Sequence, residues 1–97
     1  MTFITTGQTI IFADPTTANG NVDLYLPDNP PEGKTYTVKN ISSGTTLVGT
    51  SGPTIYLETE FGLYSSGTYA TINVTNAAIT WVFSNNGYRI INMFGLA

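Results

Sequence analysis

The side chains of this chain are strongly biased toward extended backbone structure. Threonine, valine, isoleucine and the aromatic residues fill 43 of the 97 positions. These β-branched and aromatic side chains are enriched in strands. The strong helix formers glutamate, lysine, glutamine and arginine are nearly missing. The chain is therefore predicted to be all-β.

Apolar and polar residues alternate with a period of two in several segments, which is the pattern of half-buried strands. The segments are short, recur about every ten residues and are separated by Gly, Pro and Asn turns. This spacing predicts eight or nine strands in an antiparallel β-sandwich of jelly-roll-like form. The predicted core contains Val22, Leu24, Leu26, Tyr36, Val38, Ile55, Leu57, Ala70, Ile72, Val74 and Trp81.

The length of the chain allows one domain over residues 1–97, with residues 1–20 as a candidate N-terminal attachment segment. Residues 79–83 and 90–94 are apolar on both faces of the expected strands. Such runs suit central strands or strands buried against another subunit. We therefore predict a homo-oligomer, with Phe94 and Leu96 in the subunit interface.

Charged residues are scarce, and two reactive residue types are absent. Three cations among nine charged side chains are too few to neutralise a nucleic-acid backbone, so no nucleic-acid partner is expected. Without cysteine or histidine there is no thiolate nucleophile, imidazole base or ligand of either type. No apolar run reaches the length of a membrane span, so no membrane insertion is expected. No cofactor or metal is expected.

Glu58 and Glu60 form the one carboxylate pair with spacing suited to chemistry. Residues two apart on a strand share a face and lie about 7 Å apart, within the range that glycosidases use. The alternative is a solvated outer face that keeps an apolar strand soluble. We favour that alternative and predict that the protein is not an enzyme.

Tyr25, Tyr56 and Tyr69 fall on the polar side of their predicted strands and are the candidate ligand-binding residues. Exposed tyrosines offer a large contact area at little entropic cost, so they suit protein interfaces. They can also stack on sugar rings. A third interpretation is that tyrosine simply fits a pleated surface.

Residues 33–44 read G-K-T-Y-T-V-K-N-I-S-S-G, and this block resembles the head (knob) domains of phage and viral tail fibres. The resemblance extends over about residues 20–94. Its other matching pieces are Leu26-Pro27, residues 52–55, residues 70–74, Trp81 and residues 86–91. Two departures are that Trp81 comes one strand early, with Tyr88 in the later place, and that no stalk repeat precedes Thr9.

The resemblance implies a trimeric β-sandwich that serves as a virion structural protein on the particle surface. A fibre or spike head with a role in host attachment and a capsid-decorating protein are both expected forms. The implied partners are further copies of the chain, other virion proteins and a host-surface glycan. The alternative is a stand-alone carbohydrate-binding module, which would usually be a monomer.

Overall fold

The computed structural model describes residues 2–4, 7, 9–17, 19–28, 30–50, 55–59, 62–64 and 69–95. These residues form ten strands and no helix, which confirms the all-β prediction. The strands are β1 (Thr2–Phe3), β2 (Ile10–Ala13), β3 (Asn21–Leu26), β4 (Thr35–Asn40), β5 (Thr45–Thr50), β6 (Tyr56–Thr59), β7 (Gly62–Tyr64), β8 (Ala70–Ile72), β9 (Ala78–Ser84) and β10 (Gly87–Phe94). Strands β1 and β7 were not predicted, because two or three residues are too short to show alternation.

The strands form two sheets, so the fold is sandwich-like. The smaller sheet has the order β1-β3-β5-β8, and the larger has the order β2-β4-β9-β10-β6-β7. Buried apolar side chains from both sheets make one core cluster. Trp81, Tyr36 and Tyr88 are its largest fully buried members. Each sheet therefore keeps its other face for solvent or a partner.

The first five strands alternate between the two sheets. As a result β1, β3 and β5 are parallel neighbours in one sheet, while β2 and β4 are parallel neighbours in the other. Strand β10 also runs parallel to β6. The prediction of an antiparallel sandwich was therefore wrong for four of the eight ladders among the described residues. Alternation shows which face of a strand is buried, but it does not show which strand lies beside it.

Most of the predicted core is buried. Nine of its eleven residues are buried, and Val22 is half-buried against the cluster. Val74 was placed wrongly, because 43 % of it is exposed. Strand β8 ends at Ile72, and the chain then turns through Asn76, whose φ is 70°. The alternation therefore stops before Val74.

Asn40 forms the main buried polar contact between strands. Its Nδ2 donates to the carbonyl oxygens of Gly44 and Val74, both at 3.3 Å, and its Oδ1 accepts from Thr46 Oγ1 at 3.0 Å. Asn40 N also donates to the carbonyl of Ala77 at 2.9 Å. One amide thus joins the end of β4 to β5 and to the turn before β9.

Two neighbouring tyrosines inside the core have different hydroxyl environments. The rings of Tyr36 and Tyr88 meet edge to face with centroids 5.9 Å apart. Tyr88 Oη donates to the carbonyl of Pro27 at 2.5 Å. The buried Tyr36 Oη has no hydrogen-bond partner among the described residues. Burial raises the pKa of both hydroxyls, so both remain protonated at neutral pH.

Candidate functional site

Tyr25 and Tyr69 are brought together on the outer face of the smaller sheet. Their hydroxyl oxygens are 2.9 Å apart, and their ring centroids are 6.0 Å apart in an edge-to-face arrangement. The hydrogen bond with Tyr69 is the main cause of the raised pKa of Tyr25, followed by burial and the nearby negative charge of Asp23. Tyr25 therefore stays a neutral phenol, and a phenol hydroxyl can both donate and accept hydrogen bonds.

Gly49 explains how the two rings meet. It is the register partner of Tyr25 on β5, and a Cβ atom at Gly49 would lie 2.8 Å from Cε1 and 2.9 Å from Cδ1 of Tyr69. The Tyr69 ring therefore lies across the bare backbone of Gly49 to reach Tyr25. Glycine inside a strand often marks such a close approach. We call Tyr25, Gly49 and Tyr69 the tyrosine platform.

The cross-strand row beside the tyrosine platform has an apolar residue between two polar ones. Register places Asp23 next to Leu47 and Leu47 next to Thr71. These three residues lie two positions from the platform on their strands, so they share its face about 7 Å away. The outward positions of β3, β5 and β8 thus offer a carboxylate and a hydroxyl but no cation.

Tyr56 does not join the platform. It lies on β6 of the larger sheet, where it pairs with Gly87 of β10, and 45 % of it is exposed. Since Tyr25 and Tyr69 belong to the smaller sheet, the structure brings together two of the three predicted ligand-binding residues. Sequence alternation alone could not assign strands to sheets.

The outer face of the larger sheet carries an exposed apolar row. Register aligns Phe12 with Lys39, Lys39 with Ala78, and Ala78 with Phe94. Phe12 is 64 % exposed and Phe94 is 66 % exposed. We call these four residues the phenylalanine row. Leu96, the other predicted interface residue, lies outside the described residues.

Further exposed apolar side chains lie beside the phenylalanine row. Ile10 is 62 % exposed at the next outward position of β2, and Ile91 is 58 % exposed at an irregularity in the pairing of β10 with β9. The outward positions of β2, β4 and β9 contain no carboxylate. The phenylalanine row therefore has Lys39 as its one charge, and the paired hydroxyls of Thr37 and Thr80, 2.8 Å apart, lie next to it.

The Glu58 carboxylate makes a hydrogen bond that supports the fold. Its Oε1 accepts from the backbone N–H of Ile90 at 2.6 Å, and its carbonyl oxygen accepts from Trp81 Nε1 at 2.9 Å. These bonds hold β6 to β9 and β10 where the regular β6–β10 ladder ends. Glu60 lies outside the described residues.

Asp14 ties two surface loops together. Its carboxylate accepts from Ser42 Oγ at 2.6 Å and from Thr17 Oγ1 at 2.8 Å. These hydrogen bonds, led by that from Ser42, lower the pKa of Asp14. Thr16 N donates back to Ser42 Oγ at 3.0 Å. Asp14 therefore joins the loop after β2 to the turn after β4.

The described part of the chain contains neither a metal-binding cluster nor a membrane-spanning helix. No cluster of three or more His, Cys, Asp or Glu residues there is arranged to hold a metal ion. No helix there has the length and apolar character needed to cross a bilayer.

No protein-family model matches the chain, and no curated protein matches it significantly. The two outer faces and the resemblance of residues 33–44 are therefore the features of this chain that bear on its function.

Proposed function

We propose that the chain is a virion structural protein that assembles as a homo-oligomer, with a trimer as the favoured form. In this proposal it serves as a fibre or spike head, or as a capsid-decorating protein, on the particle surface. The observation that supports it most is the phenylalanine row, because it exposes two large aromatic side chains beside strands β2, β4 and β9, whose outward positions contain no carboxylate. Exposed aromatic side chains of this kind are typical of interaction surfaces. The tail-fibre resemblance supports the virion setting and the trimer.

The exposed apolar area is large enough to matter for assembly. Phe12 and Phe94 are about two-thirds exposed, and Ile10 and Ile91 are close to that fraction. Together these four side chains expose on the order of 500 Å². Apolar patches of about 300–600 Å² are the largest on typical monomers and are often functional. These side chains are spread over β2 and β10, with Lys39 and Ala78 between the two phenylalanines, and a standard interface of about 800 Å² per partner is large enough to cover them.

The detailed architecture remains part of the proposal. A jelly-roll-like arrangement stays a prediction, and the parallel ladders depart from the antiparallel Greek keys of that form.

The small number of charges and the absence of cysteine suit an extracellular particle component that needs no redox protection.

The mass of the protein in solution tests the proposed assembly. We expect light scattering after size exclusion to give about three times the 10.4 kDa chain mass at micromolar concentration. Replacing Phe12 and Phe94 together by Ser should shift the mass to that of a monomer. Val74→Ser is the matched control, because Val74 is also exposed but lies outside the sheets. A wild-type mass near 10.4 kDa would refute the oligomer, and an oligomer that survives the double substitution would refute the choice of face.

Capsid and glycan binding separate the two proposed virion roles. A decorating protein should co-sediment with empty capsids and ignore host surface polysaccharide, whereas an attachment head should bind the polysaccharide. Measuring both with the same oligomeric preparation distinguishes these roles. Failure to bind either would overturn both.

The tyrosine platform favours a second candidate, a stand-alone carbohydrate-binding module. Such a module needs an exposed aromatic surface with nearby polar groups, and the platform provides both. It needs no partner subunit. A monomer that binds glycan would therefore support this second candidate against the oligomeric one.

A further inference from the structure

The Tyr69 ring is held in place before any ligand arrives. Its plane is supported by the backbone of Gly49, and its hydroxyl is hydrogen bonded to Tyr25 at 2.9 Å. Nevertheless, 40 % of Tyr69 is exposed. A ring fixed at two points loses little conformational freedom on binding, which lowers the entropic cost of stacking a ligand against it.

The groups around this ring match the chemistry of a sugar. A pyranose ring has a face of C–H groups, which packs on an aromatic side chain, and a rim of hydroxyls, which need hydrogen-bond partners. Asp23 provides acceptors, Thr71 provides a donor and an acceptor, and the Tyr69 hydroxyl adds a further polar group. Leu47 lies between Asp23 and Thr71 and adds apolar contact.

The charge beside the tyrosine platform favours a neutral sugar over an acidic one. Asp23 is an anion, and the outward positions of β3, β5 and β8 contain no lysine or arginine. A carboxylate or sulfate on a sugar would be repelled by Asp23 and would meet no cation in these rows. A neutral glycan avoids this cost.

We infer that the tyrosine platform binds a pyranose ring of a neutral glycan, stacked on Tyr69 and hydrogen bonded through its hydroxyls to Asp23 and Thr71. This inference deepens the proposed attachment function and depends on it only for its biological setting. The site is complete within one chain. Three copies in one assembly would raise a weak single-site affinity through avidity.

The first experiment is an NMR titration of the ¹⁵N-labelled protein with maltose, lactose, N,N′-diacetylchitobiose and mannobiose. At least one should shift the signals of Tyr69, Gly49 and Thr71, with a dissociation constant on the order of 0.1–1 mM. The affinity should hardly change between about 0.05 and 0.5 M NaCl, because the ligand is neutral. Glucuronic acid at pH 7 should leave these signals in place. If none of the four disaccharides shifts them at about 20 mM, or if only glucuronic acid does, the inference is wrong.

Three variants test the geometry with the disaccharide that binds best. Tyr69→Ala should weaken binding about tenfold, since it removes the stacking surface. Gly49→Ala keeps every aromatic group but forces the Tyr69 ring away from the sheet, so its loss should be similar. Tyr56→Ala is the matched control, because it removes an equally exposed tyrosine from the other sheet and should leave binding unchanged.

The outcomes are separable from those of the assembly test. Thermal melting of each variant shows whether it folds, and Tyr69→Ala still tests the site if Gly49→Ala does not fold. Full binding by folded Tyr69→Ala would overturn the inference whatever the oligomeric state. Conversely, a monomeric wild type that loses binding in Tyr69→Ala would sustain the inference and overturn the oligomeric function.

Discussion

The same small change, Tyr to Phe, should have opposite effects at two neighbouring positions in the core. Tyr36 and Tyr88 are both fully buried, and their rings touch. The Tyr88 hydroxyl donates to the carbonyl of Pro27, whereas the Tyr36 hydroxyl has no partner among the described residues. Each substitution removes one oxygen and preserves the ring. Comparing the two variants therefore measures how much the hydrogen bond from Tyr88 to Pro27 contributes to the free energy of unfolding.

The expected magnitudes follow from this difference. In Tyr88→Phe the buried Pro27 carbonyl loses its donor, which should lower the free energy of unfolding by about 1–3 kcal/mol. In Tyr36→Phe the folded state no longer buries a hydroxyl that its described neighbours leave unpaired. The free energy of unfolding should therefore stay constant or rise by up to about 1 kcal/mol.

Thermal and urea unfolding of the two variants beside the wild type measures these changes. A change of 1 kcal/mol shifts the melting temperature of a domain this size by about 4–8 °C. We therefore expect a clear decrease for Tyr88→Phe and none for Tyr36→Phe. Equal destabilisation by both would refute the assignment of the two hydroxyls and would mean that Tyr36 has a partner in the folded protein.

Two further predictions concern the core and the loops. Ile72→Ala should cost about 2–5 kcal/mol through lost burial and the cavity that remains. Val74→Ala, two residues later, should cost little because Val74 is exposed. An unchanged melting temperature for Ile72→Ala would mean that the inward face of β8 is assigned backwards. The lowered pKa of Asp14 contributes stability above its ordinary value of 3.8 that is lost as the pH falls. The melting temperature of Asp14→Asn should therefore fall less than that of the wild type between about pH 5 and pH 2, and parallel curves would show that its loop contacts do not stabilise the fold.

Local alternation was sufficient to predict the inward faces of most strands. Leu24 and Leu26 on β3, and Tyr36 and Val38 on β4, are buried as their spacing predicts. The pairing of strands could not be predicted in the same way. Phe3 pairs with Tyr25, and Tyr25 pairs with Gly49, so each neighbour in the smaller sheet is more than twenty residues away. No turn motif encodes contacts at that distance.

The candidate site was predictable only in part. The exposure of Tyr69 followed from alternation with the buried Ala70 and Ile72. Its contact with Tyr25 depends on the register of three strands, which the sequence does not reveal. One signal was present, because Gly49 interrupts a β-favouring segment, and a glycine there suggests that another group approaches the backbone.

The block that carries the tail-fibre resemblance has a structural explanation of its own. Asn40 is held by three side-chain hydrogen bonds inside the fold. Gly44 has a φ of 121°, and a Cβ there would lie 2.6 Å from both the Gly20 carbonyl oxygen and Pro15 Cβ. Two of the most distinctive residues of the block are therefore required by this packing. The resemblance bears more directly on the fold than on any binding activity.

The proposed activities must therefore depend on the outer faces of the two sheets. The chemistry of these faces favours assembly through the phenylalanine row and ligand binding through the tyrosine platform. Assembly through the tyrosine platform would bury the Asp23 carboxylate, and no cation in the adjacent rows would offset the desolvation cost. Assembly through the phenylalanine row buries apolar area that is otherwise exposed to water, and the long stem of Lys39 allows its ammonium group to reach the edge of the contact. Because the two faces belong to different sheets, an oligomer built on the phenylalanine row leaves Tyr69 open to ligand in every subunit. Glycan titrations of the wild type and of the Phe12 and Phe94 double variant should consequently give the same affinity per site for a disaccharide.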